Sequence, residues 1–428
     1  MGDSQKLIRS VKGVKDVTPE MAPKWRFVEE TALETLDLYN FREIRIPIFE
    51  KTEVFQKSIG ETTDIVEKEM YTFTDRGNES LTLRPEGTAS VVRAYIEHKM
   101  YTKSGAVKLY YMGPMFRAER PQAGRFRQFH QIGAEVFGSS SPAVDAELII
   151  MLMDFFNELK IQGLKIRLNS LGCHECRPAY RDALHGYLKT HVDSLCDSCK
   201  ARIDRNPLRV LDCKSAGCQE IASKAPTIDK HRCAACEDHL DKVRRPLMDL
   251  ELPVVMDPGL VRGLDYYTRT AFEVVSGSLG AQNSVAGGGR YDNLVEMFGG
   301  PPTPAIGFAI GLERLISLVD NSEIEDYYES APDIFIVSLA DEAQMRIFEI
   351  AHRLRSNGYR VERSFETGSI KSQMRKANKS GARFALIIGE DELFKGVATI
   401  REMETGEQKE APFGEIITVL DEEFDIGA

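Results

Sequence analysis

The sequence predicts an α+β chain in three parts: a large domain on an antiparallel sheet with flanking helices, a mainly helical insertion within it, and a smaller C-terminal α/β domain with a mixed sheet. Strand-like runs follow one another between residues 71 and 137, which is typical of a hairpin-built sheet. All eight cysteines fall within residues 173–236, in a stretch of helical pattern. Beyond residue 331, strands and helices alternate, which predicts a separate α/β domain.

The large domain is predicted over residues 1–325, interrupted by the insertion at 172–250. Apolar residues at helical spacing predict a first helix over residues 20–40. Within residues 41–55, isoleucine occupies every second position at Ile44, Ile46 and Ile48, which predicts a strand. Pro47 within this stretch indicates an edge or interface strand. The later elements predicted in this domain are helices near 88–99 and 142–160, strands within 261–275 and 281–291, and a strand and helix at 303–319.

The C-terminal domain is predicted over residues 331–428, after a polar, acidic stretch at 320–332. Its pattern is strand, helix, strand, helix, strand, with one last hairpin segment at the sequence ATIREM. The boundary between the two domains is expected near residues 325–331.

Composition and charge exclude several classes of protein. The 428 residues are 42% hydrophobic and 28% charged, with no apolar run near the ~20 residues that cross a bilayer. The first sixteen residues lack the apolar region of a secretory signal, so we expect a cytoplasmic protein without a membrane partner. The net charge of −11 argues against a protein that grips nucleic acid over its whole surface, and we expect no DNA partner.

The most informative stretch is MGPMFRAERPQAGRFRQFHQIGAEVFG, residues 112–138. It concentrates arginines around a predicted hairpin loop, PQAG. If the flanks are strands, Arg117 and Glu119 share a face, and Arg125 shares one with Phe129. Guanidinium groups bind phosphate oxygens in a bidentate manner, so the pattern favours a phosphate site over a solvated basic hairpin.

This stretch resembles motif 2 of the class II aminoacyl-tRNA synthetases, and in particular the form found in histidyl-tRNA synthetases. The resemblance implies that Arg117 holds the α-phosphate of ATP and the histidine carboxylate. It implies adenine contacts for Glu119 and Phe129. It also implies that Arg125 binds the γ-phosphate and that Gln122 lies near the acceptor end of tRNA.

Two further segments resemble the other class II motifs. TPAIGFAIGLERL, residues 303–315, is similar to motif 3, and the likeness puts Arg314 on the γ-phosphate. The strand with Pro47 corresponds to motif 1, a dimer-interface element. The resemblance therefore implies a class II synthetase fold, a homodimer, and a C-terminal domain that reads the anticodon.

The segments LVRGLDYYTRTAFEV (260–274) and SVAGGGRYDNLVEMFGG (284–300) resemble two stretches peculiar to histidyl-tRNA synthetases. An imidazole pocket needs flat apolar walls and partners for both ring nitrogens. The predicted histidine-binding residues are Glu86, Gly87, Thr88, Arg117, Gln131, Glu135, Arg262, Tyr266 and Tyr267. By the resemblance, Arg262 lies across the α-phosphate from Arg117, where other class II enzymes place a metal ion, so these two arginines are the predicted catalytic residues.

The implied activity is that of a histidine–tRNA ligase. L-Histidine and Mg-ATP give histidyl-adenylate and pyrophosphate, and histidine then passes to the 3′ end of histidine tRNA. Two rivals differ in kind: a non-catalytic regulatory paralogue, and a class II synthetase for another amino acid such as threonine or proline. The arginine set and the C-terminal domain argue against the first, and the tyrosine pair with GGGRYD argues against the second.

The cysteines form four closely spaced pairs. In chain order they are Cys173 and Cys176, Cys196 and Cys199, Cys213 and Cys218, and Cys233 and Cys236. The spacing leaves two readings open: thiolates of a structural Zn²⁺ site, or reduced thiols clustered by local composition. Histidines lie nearby in the sequence, so the grouping of ligands is open as well.

Overall fold

The computed structural model describes residues 7–60, 63, 65–122, 124–324, 331–339, 341–366 and 368–424. The chain divides into two compact units, Met1–Ile324 and Glu325–Ala428. Most of the predicted boundary, residues 325–330, lies outside the described residues. In the part of the chain that is described, no helix combines the length and apolar character needed to cross a membrane.

The first unit contains a large sheet, a small sheet and the helices around them. Its strands are β1 (Arg42–Glu43), β2 (Phe49–Lys51), β3 (Tyr71–Thr74), β4 (Ser80–Leu83), β5 (Val107–Phe116), β6 (Gln128–Phe137), β7 (Leu164–Ser170), β8 (Val254–Met256), β9 (Thr268–Ser276), β10 (Ser284–Arg290) and β11 (Ala305–Gly311). Its helices are α1 (Ala22–Leu38), α2 (Thr52–Ile59), α3 (Thr88–Glu97), α4 (Pro142–Glu158), α5 (Arg177–Thr190), α6 (Asp197–Arg202), α7 (Ala216–Ser223), α8 (Ala234–Asp249), α9 (Leu294–Met297) and α10 (Leu312–Ile316).

The large sheet has the strand order β1-β5-β6-β11-β10-β9-β7-β8. Neighbouring strands from β5 to β7 are antiparallel, and only the two edge strands, β1 and β8, pair in parallel. The small sheet, β2-β4-β3, is antiparallel throughout. The predicted antiparallel architecture with flanking helices is therefore confirmed.

One face of the large sheet is covered by α1, α4 and α8. Side chains alternate along each strand, so Ile132, Ala134 and Val136 of β6 enter this core while their neighbours point to the opposite face. Leu240 and Leu247 of α8 pack into the same core. The last helix of the predicted insertion is thus part of the sheet's own packing, and the opposite face of the sheet remains available for a site.

Two sequence-based expectations about strands are wrong. The alternating isoleucines of residues 41–55 do not form one strand: β1 and β2 belong to different sheets, residues 44–48 between them have no regular structure, and residues 52–59 are helical. Pro47 explains the break, since it lacks the N–H that a ladder needs. The arginines of motif 2 are not on strands either, because β5 ends at Phe116 and β6 begins at Gln128.

A buried ionic network ties α4, α8 and the sheet together. Helix α4 begins at Pro142 after the Ser141 side chain accepts the N–H of Ala143, and its first turn carries the fully buried Asp145. The Asp145 carboxylate accepts hydrogen bonds from Thr270 Oγ1 at 2.6 Å and Arg290 Nε at 3.0 Å. His239 Nε2 of α8 lies 2.9 Å from the same oxygen.

Replacing Asp145 with alanine is expected to lower the free energy of unfolding of the first unit by about 3–5 kcal/mol, because the fully buried Arg290 guanidinium loses its principal counter-charge. The thermal midpoint of this unit measures the loss. Glu220→Ala is the control: its carboxylate is 73% exposed and pairs with Lys224 on the surface, so a change of at most ~0.5 kcal/mol is expected. Equal midpoints for the two variants would refute the network's role.

The second unit is a mixed five-stranded sheet with helices. Its strands are β12 (Ile334–Ser338), β13 (Val361–Arg363), β14 (Phe384–Ile388), β15 (Val397–Glu402) and β16 (Gln408–Pro412), in the order β13-β12-β14-β15-β16. Its helices are α11 (Gln344–Ser356), α12 (Ile370–Ser380), α13 (Glu390–Lys395) and α14 (Ile416–Phe424). Strand β12 pairs in parallel with β13 and β14, and the remaining pairs are antiparallel. The mixed sheet was predicted; β16, α13 and α14 were not.

Candidate functional site

The site is built on the face of the large sheet opposite the helical core. On β6, Phe129, Gln131 and Glu135 project to this face because they alternate with the core residues. Strand β11 lies beside β6, with Gly307 opposite Glu135 in the register. A Cβ atom on Gly307 would lie 1.6 Å from Glu135 Oε2, so a glycine there gives the carboxyl group its space.

Glu135 is fully buried and sits between two hydroxyl donors. Thr88 Oγ1 donates to Oε1 at 2.7 Å, and the Tyr291 hydroxyl donates to Oε2 at 2.5 Å. Burial raises the pKa of Glu135 to about 8, although both hydrogen bonds act to lower it. The nearby carboxyl group of Glu86 raises it further. Without a ligand, Glu135 is therefore largely neutral near pH 7, and a ligand that donates a hydrogen bond to it would favour its ionised form.

Tyrosine rings surround this carboxyl group. Tyr266 and Tyr267 are each 6% exposed, with ring centroids 4.7 Å apart. Both tyrosines lie just before β9, which begins at Thr268, so they are not part of a strand. Tyr291 lies edge-on to Tyr266 at 5.6 Å. Sequence reasoning did not assign Tyr291 to the site, although it belongs to the GGGRYD segment; only the fold shows that its hydroxyl reaches Glu135.

Glu86, Gly87 and Thr88 form the turn that leads into α3. The buried Glu86 carboxylate accepts the N–H groups of Thr88 at 2.7 Å and Ala89 at 2.9 Å, so it caps the helix. Burial raises the pKa of Glu86, and these N–H groups oppose the rise. A Cβ on Gly87 would lie 2.2 Å from the Tyr111 ring, so the turn needs glycine to approach β5. The turn holds Thr88 against Glu135.

The side-chain oxygen of Gln131, which lies between Phe129 and Glu135 along β6, is buried. Its Oε1 has no hydrogen-bond partner among the described residues. A buried polar atom without a partner costs free energy, so this acceptor is suited to a ligand donor. Gln131 therefore belongs to the same face as the carboxyl group, as its position on the strand predicts.

Arg117 follows directly on β5 and reaches back towards the turn before α3. Its Nε donates to the carbonyl of Pro85 at 2.9 Å, and its guanidinium lies 5.1 Å from the centroid of the Phe129 ring. Burial lowers the pKa of Arg117, and the charges of Glu119, Glu69 and Glu86 oppose that effect. Because an arginine side chain stays charged in proteins, Arg117 supplies a buried cation that can bind an anion.

The connection between β5 and β6 carries the other predicted ATP contacts. Arg125 Nη1 lies 2.8 Å from Glu119 Oε2, and backbone hydrogen bonds join Gln122 and Arg125 across a tight turn. Arg314, in the short helix α10, donates from Nε to the Gly124 carbonyl at 3.1 Å and from Nη1 to the Ser284 carbonyl at 2.9 Å. The motif 2 connection and the motif 3 helix are thus in contact.

Arg262 lies beside Tyr267, in the segment before β9. Its guanidinium lies 5.9 Å from the Tyr267 ring centroid, and Nη1 lies 3.3 Å from Glu273 Oε1. A Cβ on Gly287 would lie 2.0 Å from Arg262 Nη2, so the glycine-rich strand β10 makes room for this side chain. Arg262 Nε is buried without a partner among the described residues.

The arrangement can bind a small zwitterion and a polyphosphate together. Buried acceptors at Glu135 and Gln131, walled by tyrosines, suit a planar group with two ring nitrogens. Arginines at 117, 125, 262 and 314 suit a carboxylate and phosphates. The cysteines, which the sequence analysis gave as candidate zinc ligands, are not among these side chains. They form two groups of four within residues 173–236.

Comparisons with known proteins agree along the chain. The model of the family described as Histidyl-tRNA synthetase matches residues 13–315, and that described as Anticodon binding domain matches residues 333–423. The histidine–tRNA ligase of Natranaerobius thermophilus is 51% identical over 407 residues, covering 95% of this chain and 97% of that protein. The same-named protein of Geobacter sulfurreducens is 52% identical over 406 residues, covering 95% and 97%. The solved apo histidyl-tRNA synthetase of S. aureus matches with a TM-score of 0.81 at 36% identity, covering 96% and 99%.

Proposed function

Because the chain belongs to the histidyl-tRNA synthetase family and is a histidine–tRNA ligase, we propose that the face around Glu135 holds L-histidine and that the arginines beside it hold ATP. The observation that carries this proposal is the buried carboxyl group of Glu135, which accepts hydrogen bonds from the hydroxyl groups of Thr88 and Tyr291. On the same face of the strand, Gln131 Oε1 has no hydrogen-bond partner among the described residues. Imidazole N–H groups are donors, and these are buried acceptors.

Arg117 and Arg262 have different neighbours, but we propose that both bind the same phosphate group. Arg117 bridges the proposed adenine wall, Phe129, and the turn that carries Glu86. Arg262 borders Tyr267. We assign both to the α-phosphate, with Arg117 also binding the histidine carboxylate. Two guanidinium groups flanking one phosphorus offset the charge that builds on its oxygens.

The reaction then requires no covalent nucleophile from the chain. A carboxylate oxygen of histidine attacks the α-phosphorus, the bond from that phosphorus to the bridging oxygen breaks, and pyrophosphate leaves. A terminal ribose hydroxyl of tRNA next attacks the activated carbonyl, and AMP leaves with the electron pair of the broken C–O bond. Positioning by the tyrosine walls and stabilisation of charge by arginine supply the rate enhancement.

The other ATP contacts follow the geometry of the connection. We propose that Arg125 and Arg314 take the γ-phosphate, and that Glu119 and Phe129 contact adenine. Arg125 is paired with Glu119 and Arg314 with backbone carbonyls, so ATP would exchange these partners for phosphate oxygens. Since Mg²⁺ keeps phosphate and water oxygens as ligands and the chain offers guanidinium groups here, Mg²⁺ is proposed to enter as the complex with ATP.

The tRNA partner would contact both units. A cleft of about 340 Å³ lies at the motif 2 connection, lined in part by Glu119, Gln122 and Arg125, and we propose it for the acceptor end. In the second unit, Arg375 and Lys379 are exposed on helix α12 and could meet phosphates of the anticodon arm. The proposed domain limits are 1–325 for catalysis, interrupted at 172–250, and 331–428 for anticodon binding.

A homodimer in the cytoplasm completes the proposal. Exposed apolar side chains near the predicted motif 1 support a dimer surface: Ile48 is 46% exposed and Phe49 52%, and Phe49 meets the half-exposed Phe73 at a centroid distance of 6.4 Å. None of the eight cysteines forms a disulfide in the structure, which suits a reducing compartment.

The assignment of Glu135 predicts how histidine use depends on pH. Its pKa of about 8 in the free site means that most molecules carry a neutral carboxyl group at pH 7, whereas an imidazole N–H binds best to the carboxylate. The KM for histidine should therefore fall as pH rises, by roughly fivefold between pH 7 and pH 8, and level off above. ATP–pyrophosphate exchange at saturating ATP measures it.

Glu135→Gln is the matched variant, since the amide has the same shape as the neutral carboxyl group and does not titrate. We expect a raised histidine KM that no longer changes between pH 7 and pH 8, with the KM for ATP near the wild-type value. A wild-type histidine KM that is flat across this range, or a variant that keeps the wild-type pH profile, would rule out Glu135 as the imidazole partner.

A further inference from the structure

The fold combines the four cysteine pairs of the sequence two by two, which sorts the eight cysteines into two quartets. The outer quartet joins both ends of the insertion: Cys173, Cys176, Cys233 and Cys236 have all their sulfur atoms within 4.8 Å of one another. The Sγ atoms of Cys173 and Cys176, of Cys173 and Cys233, and of Cys176 and Cys236 are each 3.8 Å apart.

The inner quartet lies between these ends and closes a smaller lobe. Cys196, Cys199, Cys213 and Cys218 also have all their sulfur atoms within 4.8 Å, and Cys196 and Cys213 are 3.8 Å apart. Cys199 and Cys218 are fully buried in the apolar cluster of this lobe. The backbone N–H of Cys196 donates to the sulfur of Cys218 at 3.3 Å, as the N–H of Cys173 does to that of Cys176 at 3.2 Å in the outer quartet.

The spacing of the sulfur atoms matches one metal ion in each quartet. Zinc binds thiolates at about 2.3 Å in a tetrahedron, whose edges are then about 3.8 Å. A disulfide needs about 2.05 Å. Two separate quartets, each with all four sulfur atoms within 4.8 Å of one another, are not explained by local composition.

We propose that the insertion binds two structural Zn²⁺ ions, one in each cysteine quartet. The sites are nested: the outer ion fastens the start of the insertion to the start of α8, and the inner ion organises the lobe of α6 and α7. All four positions in each site are filled by thiolates, so neither ion has an open position for catalysis.

The proposal extends to the histidine site, and this second step rests on the proposed function. Arg177, next to the outer ligand Cys176, donates to the carbonyls of Leu171 and Tyr267. From the inner lobe, Asn206 Nδ2 and Arg209 Nη2 each lie 2.9 Å from Asp265 Oδ1. The metal-bound insertion thus holds residues 265–267, the segment that carries the pocket tyrosines.

Metal analysis of the full chain, purified without added zinc and passed through chelating resin, tests the two sites. We expect two equivalents of zinc per chain, and one each for Cys236→Ser and Cys199→Ser. Titration of the wild-type thiols with a mercurial reagent should release both ions, which keeps the test independent of variant folding. Fewer than ~0.5 equivalents, or iron in place of zinc, would overturn the proposal, and a single equivalent would overturn it for one quartet.

Asn206 and Arg209 test the contact with the pocket, because neither is a metal ligand. For the double variant Asn206→Ala/Arg209→Ala we expect two equivalents of zinc, a histidine KM raised several-fold, and an unchanged KM for ATP. Lys224→Ala, an exposed residue of the same lobe, is the control and should match the wild type. A wild-type histidine KM in the double variant would overturn the positioning role while leaving the zinc sites and the proposed function intact.

Discussion

Replacing Arg262 with histidine is expected to lower ATP–pyrophosphate exchange by at least 10²–10³-fold while the protein remains folded. Arg262 is held by contact with Tyr267 and Glu273 and by the space that Gly287 leaves, and its Nε has no partner among the residues that the structure describes. Histidine is shorter and largely neutral above pH 7, so it would supply neither the reach nor the charge.

Arg167→His is the matched control. Arg167 Nη1 lies 3.0 Å from the other oxygen of Glu273 and also pairs with Asp257, yet it is not assigned to substrate. Replacing Arg167 disturbs the Glu273 carboxylate but removes no assigned substrate contact. Exchange should therefore stay within about threefold of wild type. If Arg262→His retained exchange within a few-fold of wild type, Arg262 would not act on the α-phosphate.

Replacing Arg117 with glutamine is expected to lower exchange by a similar 10²–10³-fold and to raise the KM for histidine as well. Its guanidinium is assigned to both the α-phosphate and the histidine carboxylate, and it is surrounded by acidic residues that need a cation. Arg117→Lys keeps the charge but loses the bidentate geometry, so it should recover only part of the rate.

Arg127→Gln is the control for this second prediction, because Arg127 lies in the same connection but, among the described residues, its side chain donates only to backbone carbonyls, those of Glu119 and Lys12, at 3.4 Å. Its rate should stay near wild type. Since Arg117 and Arg262 are assigned to one phosphate, the double variant should lose less than the product of the single losses. Fully multiplicative losses would indicate separate targets.

Local sequence patterns are informative where the residues that form a feature together are close to one another in the chain. In the regular strand β6, alternation puts Phe129, Gln131 and Glu135 on one face, opposite the core residues. The expectation of arginines on strands failed because residues 117–122 and 124–127 lie between the end of β5 and the start of β6. Periodicity describes regular elements, and the phosphate-binding candidates lie outside them.

Contacts between distant segments could not be predicted. Asp145 is one of four acidic residues in helix α4, and only the fold brings Arg290, Thr270 and His239 to it. Tyr291 is 156 residues from Glu135 in sequence. Cysteine spacing suggested ligands but not their grouping, because the pair at 173 meets the pair at 233 across the whole insertion. Such groupings depend on packing, which a single sequence does not encode locally.

The central claim is that this chain activates histidine on the face around Glu135. ATP–pyrophosphate exchange by the full chain, measured with each of the twenty amino acids in turn, tests it most directly. The structure and its family predict exchange with L-histidine alone, and its loss in Arg262→His. Exchange that depended on another amino acid, or no exchange with any of them, would contradict the account.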